Sequence, residues 1–308
     1  MKRRDFLVLG AGAFVAASLP FTRGRGPRLV RRRVPLMGTI AEIAVVHDDA
    51  HPALDAAFAE LHLVDETMSR FRADSDVGRV NRAGPGVAVD VDDTTALVLR
   101  HALEWAERSD GAFDPCLGRA TELWDVGRRR TPPAATDVRR FAGRRLYSAL
   151  DVDGNRAVVH DVDVALDLGG IAKGHAVDRA ARALRERGVA HALVNVGGDL
   201  VAIGASEDGD PWRIGVVDPA DPTRLARTLA VRDEAVATSG DYERCFDHGG
   251  RRYHHLLDTA TAAPRVVQRH SLTVVAADCL TADAAATACF GLDDERMREL
   301  LAGRAQVV

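Results

Sequence analysis

Two glycine pairs beside acidic residues are the positions of this chain that could bring a backbone closest to a ligand. The first pair lies in Asp167 to Gly174, which reads Asp-Leu-Gly-Gly-Ile-Ala-Lys-Gly, and the second lies in Val196 to Asp199. Glycine has no Cβ, so a bound group can approach the backbone there. The first pair also precedes a predicted helix, whose N-terminal amides and the Lys173 ammonium would favour a phosphate. Its spacing is neither that of a P-loop nor that of a Rossmann fingerprint, so a tight structural turn is an equally good interpretation.

A carboxylate and a hydroxyl four residues apart form a second candidate site. Asp283 and Thr287 lie at positions i and i+4 of an alanine-rich segment, so they share one face of a predicted helix. Mg²⁺ prefers carboxylate, hydroxyl and carbonyl oxygens and usually keeps substrate phosphates as further ligands. The segment therefore indicates part of a magnesium site, with capping of the helix by Thr281 or Asp283 as the alternative.

His255 and Asp258 form a third candidate pair, three residues apart at the predicted end of a strand. An imidazole and a carboxylate so placed can take a proton from a hydroxyl near neutral pH. The alternative is an ordinary solvated pair of surface histidines, since His254 directly precedes His255.

The elements that must position these residues follow from the spacing of the apolar side chains. Helical periodicity predicts helices over residues 54–68, 99–106, 176–184, 280–291 and 293–302. Short β-rich runs predict strands over residues 39–46, 192–196, 212–217, 226–231, 252–257 and 271–276, and a hairpin within 147–167 that ends at Asp167. This order predicts an α+β fold in which helices pack on mixed sheets.

The composition argues against several other classes of protein. Hydrophobic residues make up 46% and charged residues 28%, as in an ordinary soluble domain. The net charge of -4, without a long basic stripe after the N-terminal region, gives no reason to expect a nucleic-acid partner. The four cysteines include no Cys-x-x-Cys pair and are too few for a disulfide framework or a zinc cluster. We expect them to be small buried side chains, with a single bridge left open.

The first 22 residues have the pattern of an export signal. A basic start that contains Arg3-Arg4-Asp5-Phe6-Leu7 leads into a short apolar run, which resembles a twin-arginine signal and is too short to span a membrane. A chance basic start on a buried helix is the alternative. Residues 23–34, rich in Arg, Pro and Gly, are predicted to be a linker, and residues 35–308 to be the folded domain. The mature protein is therefore expected in the periplasm or at the outer face of the cytoplasmic membrane.

The order of short segments along the whole chain after the linker resembles the ApbE family of FAD:protein FMN transferases. Each match is weak alone, but so many in the same order make chance implausible. The matching segments are Met37–Thr39, Met68–Phe71, Gly111–Pro115 with Trp124, Asp167–Gly174, Asn195–Asp199, Trp212–Gly215, Ala237–Tyr242, His255–Asp258, and Asp283 with Thr287. The resemblance implies an ApbE-like, T-fold-like α+β domain made of mixed sheets and packed helices, in two intimately associated subdomains.

The resemblance also implies roles for individual residues. Mg²⁺ would be held by the backbone carbonyl of Gly170 together with Asp283 and Thr287. FAD, as the substrate, would be bound by Met37, Phe71, Ala112, Phe113, Asp114, Asp167, Lys173 and His255. His255 is the best candidate to take the acceptor proton, and Asp258 would orient it or bind the cofactor. Phe71 stands where the family often has tyrosine, so ring stacking is kept and a hydroxyl contact is lost.

The implied reaction is a phosphoryl transfer. A threonine hydroxyl of an acceptor protein, expected to be an exported or membrane redox subunit, attacks the FMN phosphorus of FAD, and AMP leaves. Mg²⁺ would neutralise charge on the pyrophosphate. Two alternatives stay open, a Mg²⁺-dependent pyrophosphatase that cuts FAD to FMN and AMP and an exported FAD-binding protein without turnover. The sequence does not indicate an oligomeric state.

Residues 259–263 depart from the family pattern. The family usually continues His-x-x-Asp with Pro-x-Thr-Gly, whereas this chain has Thr259, Ala260, Thr261 and Ala262. The change removes the preset turn of proline, and Ala262 would be strained at a position that needs a positive φ. The efficiency of transfer or the choice of acceptor is therefore expected to differ at this loop.

Overall fold

The fold is built on a seven-stranded sheet, seen in a computed structural model that describes residues 28–308. The strands of all sheets are β1 (Leu29–Leu36), β2 (Thr39–Val46), β3 (Ala88–Asp90), β4 (Leu150–Asp153), β5 (Arg156–Val159), β6 (Ala192–Val196), β7 (Asp199–Ile203), β8 (Trp212–Asp218), β9 (Asp221–Val231), β10 (Ala235–Gly240), β11 (Cys245–His248), β12 (Arg251–His254), β13 (Leu257–Asp258), β14 (Ala263–Pro264), β15 (Ser271–Ala276) and β16 (Ala305–Val307). The α-helices are α1 (Ala50–Met68), α2 (Asp76–Ala83), α3 (Asp93–Arg108), α4 (Gly118–Trp124), α5 (Ala135–Arg139), α6 (Ala172–Glu186), α7 (Cys279–Cys289) and α8 (Asp294–Leu301). The large sheet has the order β1-β2-β6-β7-β10-β15-β16, and every neighbouring pair in it runs antiparallel.

Both faces of the large sheet are covered. Helices α1, α6 and α7 pack on one face, and side chains of the β8–β9 hairpin pack on the other. In β2, Ile43 and Val45 join the core on the helix side, while Ala44 and Val46 join the apolar cluster under the hairpin. A strand buried on both faces has few polar positions, which explains the apolar run of β2.

The residues between α1 and α6 build a second part of the fold. Its small sheet has the order β3-β5-β4 and packs with α2 and α3. Leu150 and Val159 of this sheet belong to the same apolar cluster as Ile43 of the large sheet, so one core joins the two parts. The predicted α+β architecture is confirmed, and its division into two subdomains stays a prediction. Over residues 28–308, no helix has the length and apolarity that crossing a membrane requires.

Two hairpin turns meet at one end of the large sheet. Met37 and Gly38 connect β1 to β2 with φ of 52° and 70°, and Gly197 and Gly198 connect β6 to β7 with φ of 61° and 102°. Consecutive positive φ values are typical of the two-residue turns that match the twist of antiparallel strands. A Cβ on Gly197 would lie 2.7 Å from the Thr39 hydroxyl oxygen. Turn geometry and close packing therefore explain the second glycine pair of the sequence.

The structure corrects several predicted bounds. Residues 29–34, predicted as linker, are part of β1, which pairs with β2 along its length and forms an ion pair from Arg33 to Glu42 at 2.6 Å. The predicted hairpin is limited to β4 and β5, so Asp167 does not end a strand; its amide instead donates to the Pro115 carbonyl at 2.8 Å. Strand β12 ends at His254, one residue before His255. The predicted export signal at 1–22 and linker residues 23–27 lie outside the described residues.

The cysteines are single thiols. Cys116, Cys279 and Cys289 are buried, and Cys245 is half-buried. All four are free, so the bridge that the sequence left open does not form in this structure. The expected burial is confirmed for three of them.

Candidate functional site

A cavity of about 440 Å³ opens at the end of the large sheet where the two hairpin turns meet. The turns, the end of β10, the beginning of α6 and one face of α7 form its walls. All predicted site residues except Asp258 line it, namely Met37, Phe71, Ala112, Phe113, Asp114, Asp167, Gly170, Lys173, His255, Asp283 and Thr287. The fold thus collects segments that are far apart in the chain around one space.

The turn that leads into α6 is shaped by close packing. A Cβ on Gly170 would lie 2.8 Å from the Thr287 hydroxyl oxygen, so glycine is needed there for space. Asp167 closes the turn by accepting the Gly169 amide at 3.0 Å. Arg70 holds the other oxygen of Asp167, with its Nε 3.4 Å away. The first glycine pair therefore places backbone directly against the hydroxyl of α7.

Helices α6 and α7 meet closely at Gly174, where a Cβ would lie 2.2 Å from the Cys279 carbonyl oxygen. The Gly174 amide, in the first turn of α6, donates to Asp283 Oδ2 at 3.0 Å. The carboxylate of Asp283 thus lies at the positive end of α6. The N-cap of α7 is Asp278, which accepts the Thr281 amide at 2.7 Å. The alternative that Thr281 or Asp283 caps the helix is therefore wrong, and Asp283 serves the cavity.

Gly170, Asp283 and Thr287 bring a carbonyl, a carboxylate and a hydroxyl to one side of the cavity. Oxygen donors of these kinds are the ligands that Mg²⁺ prefers. In the described chain, no three side chains of His, Cys, Asp or Glu are grouped as a metal site. A cation here would therefore depend on backbone, hydroxyl and substrate oxygens as well as on one carboxylate, and the donor chemistry of this wall fits magnesium.

One ammonium lies among three carboxylates on the same side. Lys173 pairs with Asp199, and its Nζ is 3.5 Å from Asp283 Oδ1. Burial opposes the charge of Lys173, but the carboxylates of Asp199 and Asp283 outweigh it and raise the pKa of the amine. Burial is also the main cause that raises the pKa of Asp199 and that of Glu243, and Asp283 reinforces both. Carboxylates crowded in this way favour a further cation.

Asp114 is a further carboxyl group in the cavity lining. Its carboxylate accepts the amide of Cys116 at 2.8 Å and that of Tyr147 at 3.2 Å. Burial raises the pKa of Asp114 to about 6, while these hydrogen bonds oppose the rise. A carboxyl group that titrates near neutrality inside a cavity is typical of a functional site.

Phe71 presents an exposed aromatic ring at the cavity. The residue is 78% exposed, and the Arg70 guanidinium lies 4.4 Å from the ring centroid. Arg70 is itself held by Asp167, so the ring and the glycine turn are linked. An exposed ring that lines a cavity is available to stack on a planar ligand.

His255 carries a neutral imidazole. Its amide donates to the Arg244 carbonyl at 3.2 Å. Burial, reinforced by the charges of Arg244 and His254, lowers the pKa of His255 to about 3. Among residues 28–308, its Nδ1 has no hydrogen-bond partner. A neutral imidazole with an unused nitrogen can accept a proton.

The neighbours of His255 have structural roles. His254 is 2% exposed, and its Nε2 is 2.9 Å from a backbone carbonyl, so the alternative of a surface histidine pair is wrong. Asp258 accepts the amides of Ala260 at 2.7 Å and Thr261 at 3.1 Å. Its carboxylate closes its own turn and does not contact His255, so the structure does not support the predicted orienting role.

The divergent residues 259–263 include a strained position. Ala262 is fully buried and has φ of 53°. This positive value was predicted because the family usually has glycine at this position. Its carbonyl accepts the Trp124 indole N–H at 2.7 Å, and the Thr259 carbonyl accepts the Gly143 amide at 2.9 Å. Tertiary contacts therefore hold the loop in place of a preset turn.

Five charged residues of the cavity wall are not singled out by the sequence patterns, and they are Asp65, Arg70, Glu243, Arg244 and Arg265. Arg70 lies inside one of the matched segments and Glu243 directly follows another, so their positions were a usable signal. The Arg244 guanidinium lies 3.4 Å from a backbone carbonyl of the β1–β2 turn. Arg265 follows the divergent loop, and no local pattern marks it because its contacts are tertiary.

Comparison with known proteins agrees with this geometry. A family model described as the ApbE family matches residues 37–308. An FAD:protein FMN transferase from Treponema pallidum is 33% identical over 287 residues, covering 86% of this chain and 79% of the relative. One from Vibrio cholerae is 30% identical over 270 residues, covering 85% and 81%.

Solved structures show the same similarity. The crystal structure of the ApbE protein from Thermotoga maritima has a TM-score of 0.83 and 32% identity, covering 91% of this chain and 94% of that one. The apo form of the Pseudomonas stutzeri flavinyl transferase ApbE has a TM-score of 0.80 and 30% identity, covering 93% of each chain.

Proposed function

The chain belongs to the ApbE family, and from this premise we propose that it is an FAD:protein FMN transferase, an enzyme that moves FMN from FAD to an acceptor protein. The observation that carries the proposal is the meeting of three kinds of group in one cavity. These are oxygen donors on the glycine turn and α7, the exposed ring of Phe71, and the neutral imidazole of His255. One cavity can thus bind a flavin, balance its phosphates and take a proton from a nucleophile.

We propose Gly170, Asp283 and Thr287 as the residues that hold Mg²⁺. Their carbonyl, carboxylate and hydroxyl oxygens suit the ion. When bound, Mg²⁺ supplies positive charge that neutralises the pyrophosphate of FAD. The three carboxylates crowded around the Lys173 ammonium support a cation at this wall.

The proposed step joins a threonine hydroxyl of the acceptor to the FMN phosphorus. The imidazole of His255 accepts the hydroxyl proton as the threonine oxygen bonds to phosphorus, and the bond from phosphorus to the AMP oxygen breaks. The products are FMN esterified to threonine and AMP. His255 suits this role because its low pKa keeps it unprotonated at physiological pH. Phe71 would stack on the isoalloxazine ring and hold the flavin end of the substrate.

We further propose that the acceptor is an exported or membrane redox protein and that the enzyme acts in the periplasm or at the outer face of the cytoplasmic membrane. The twin-arginine pattern of residues 1–22 supports this location. A fusion of residues 1–34 to a fluorescent protein should be exported, and a fusion with Arg3→Lys and Arg4→Lys should stay in the cytoplasm. Retention of the unchanged fusion would contradict the location.

The function is tested by mixing the purified protein with FAD, Mg²⁺ and threonine-containing fragments of exported redox subunits from the source organism, and weighing the fragments by mass spectrometry. Transfer adds FMN less water to one fragment and releases AMP. A fragment with its threonine changed to valine should stay unmodified, and EDTA should stop the reaction. His255→Ala should slow transfer much more than it weakens FAD binding.

Two other outcomes would identify a different function. Release of free FMN and AMP with every fragment unmodified would indicate a pyrophosphatase. Tight FAD binding with neither product would indicate a flavin-binding protein without turnover. Equal losses of transfer and FAD affinity in His255→Ala would contradict the role given to that residue.

A further inference from the structure

Arg265, directly after β14, sends its side chain between three segments of the cavity wall. Its Nε donates to the Leu257 carbonyl at 3.1 Å, and one terminal nitrogen donates to the Ala112 carbonyl. The other terminal nitrogen donates toward three carbonyls at the end of α7, those of Thr287, Ala288 and Phe290. Each of these partners is a backbone carbonyl, so the guanidinium connects main chains.

The C-terminal end of α7 explains why the positively charged guanidinium of Arg265 lies against it. Helix α7 ends at Cys289, so carbonyls of its last turn lack partners within the helix and carry the negative end of its dipole. A guanidinium can satisfy several of them at once because its five N–H donors form a rigid planar fork. Thr287 belongs to this turn and Asp283 to the turn before it. The contact therefore fixes the helix face that carries both proposed metal ligands.

The other two contacts fix neighbouring walls. Ala112 and the two residues that follow it, Phe113 and Asp114, are proposed to bind the flavin, and Leu257 lies two residues after His255. The backbone of Arg265 adds a third tie, because its carbonyl lies 2.9 Å from Nε2 of His254. One residue thus connects the segment that begins at Ala112, the end of α7 and the segment around His255.

The guanidinium stays charged in this setting. Burial lowers the pKa of Arg265 to about 10, and the carboxylate of Asp258 opposes the decrease. A buried carbonyl that loses its donor is costly, and the five carbonyls bonded here would all lose one if the side chain were removed. The walls are then expected to relax away from one another.

We propose that Arg265 is a positioning residue for the transfer reaction, which holds Thr287, Ala112 and the segment after His255 in one fixed arrangement. This inference rests on the proposed function and adds to it a residue outside the predicted ligand set. We assign the role of Arg265 to the geometry of the site because its side chain donates to five backbone carbonyls from three segments of the wall.

The test compares Arg265→Ala with Arg269→Ala in the full chain. Arg269 is an exposed arginine of the same segment that pairs with Asp294 at 3.0 Å, so it controls for the loss of a surface charge. Arg265→Ala is expected to slow FMN transfer by about 10- to 100-fold and to raise the Mg²⁺ concentration for half-maximal rate similarly. FAD affinity, measured by quenching of flavin fluorescence, should fall much less than the rate. Arg269→Ala should match the wild type.

Chemical rescue separates positioning from general stability. Guanidinium ion, added at millimolar concentrations far below those that unfold proteins, should restore much of the rate of Arg265→Ala and leave Arg269→Ala unchanged. Methylammonium carries the charge without the planar fork and should restore less. A folded Arg265→Ala variant that transfers FMN at the wild-type rate, or that no guanidinium restores, would overturn the inference.

Arg265→Lys keeps the proposal testable if the alanine variant does not fold. Lysine retains the charge, but its three donors share one nitrogen, which cannot reach all three segments, so the melting temperature should stay near that of the wild type while transfer falls. A lysine variant as active as the wild type would contradict the positioning role. Failure of the wild type to modify any acceptor refutes the transferase itself, whereas active wild type with equally active Arg265 variants refutes only this inference.

Discussion

Burial and neighbouring positive charge act together on His255. Both disfavour the imidazolium, and they lower the pKa of the residue to about 3. A general base must be unprotonated to act, so this environment keeps the base form available in mildly acid solution. An exposed histidine would lose its unprotonated form as the pH falls below about 6.5.

We therefore expect that protonation of His255 causes no loss of kcat for FMN transfer around pH 6.5, measured at saturating FAD and Mg²⁺. Folding lowers the pKa of His255 from its ordinary value of 6.5, so this imidazole becomes protonated only as the pH falls toward about 3. The measurement is a profile of kcat against pH. Asp114, with a pKa raised to about 6, would affect kcat/KM in the free enzyme, and Asp114→Asn removes that titration. A midpoint near 6.5 that persists in Asp114→Asn would refute the buried base.

Phe71 carries a prediction about flavin affinity. Its ring is 78% exposed and contacts the Arg70 guanidinium, so removing it costs little packing. Phe71→Ala should weaken FAD binding by about 1 kcal/mol through lost stacking and leave the melting temperature unchanged, whereas Phe71→Tyr should bind at least as well as the wild type. Titration of flavin fluorescence tests this, and equal affinity of Phe71→Ala and wild type would exclude stacking.

At the scale of elements, the contact between α6 and α7 sets the cavity wall that carries Asp283. The two helices approach so closely at Gly174 that a Cβ would lie 2.2 Å from the Cys279 carbonyl oxygen. The same approach lets the Gly174 amide reach Asp283 at 3.0 Å. A side chain at this position must push the helices apart.

Gly174→Ala is expected to lower the free energy of unfolding by about 2 kcal/mol, because overpacking against backbone outweighs the gain in helix propensity. Gly127→Ala is the matched control, since a Cβ there meets no atom within 4 Å. Urea denaturation of both variants provides the comparison. Equal stabilities would show that the helices can separate without cost.

Strand predictions were correct for long apolar runs and failed for strands that form only because they pair with a neighbouring strand. β2, β6 and β15 have the predicted bounds, because each is a β-rich apolar run buried in the sheet. β1 is rich in arginine, as an edge strand tolerates, and it becomes a strand through its pairing with β2. β7 follows the Gly197-Gly198 turn so directly that only the hairpin register defines it.

The site was predictable to the extent that its residues stand in ordered segments. The placement of Asp283 and Thr287 on one face of α7 follows from their i, i+4 spacing, and the positive φ of Ala262 follows from the glycine that the family usually has there. The spacing of His255 and Asp258 did not reveal that the Asp258 carboxylate accepts the backbone amides of its own turn, because spacing alone does not show which amides a side chain will accept. The role of Arg265 was not visible because its partners come from distant parts of the chain.

At the scale of the whole molecule, a buried histidine away from the proposed chemistry sets part of the acid sensitivity. His175 on α6 is 7% exposed, and within the described chain its Nε2 has no hydrogen-bond partner. Burial, reinforced by Arg179 and Arg182, lowers its pKa from 6.5 to about 4. The folded state favours the neutral imidazole of His175. Its contribution to the free energy of unfolding is therefore fully present above pH 6.5 and is lost as the pH falls toward about 4.

His175→Leu is expected to remove that loss. Between pH 7 and pH 4, the free energy of unfolding of the wild type should decrease by about 3 kcal/mol more than that of the variant. Urea denaturation at several pH values measures both curves, and the other titrating groups are common to the two proteins. Parallel curves would show that His175 is solvated more than its burial indicates.

The three buried thiols offer a way to watch this molecule open. The amide of Cys116 donates to Asp114 in the cavity wall, whereas Cys279 and Cys289 lie at the two ends of α7. Burial raises the pKa of all three, that of Cys289 to about 12, so each sulfur stays inert to alkylating reagents until its own wall exposes it. The labelling rate of each thiol therefore reports how often the segment around it opens. Comparing the three rates with and without FAD would show whether the walls of the cavity open independently or as one cooperative unit.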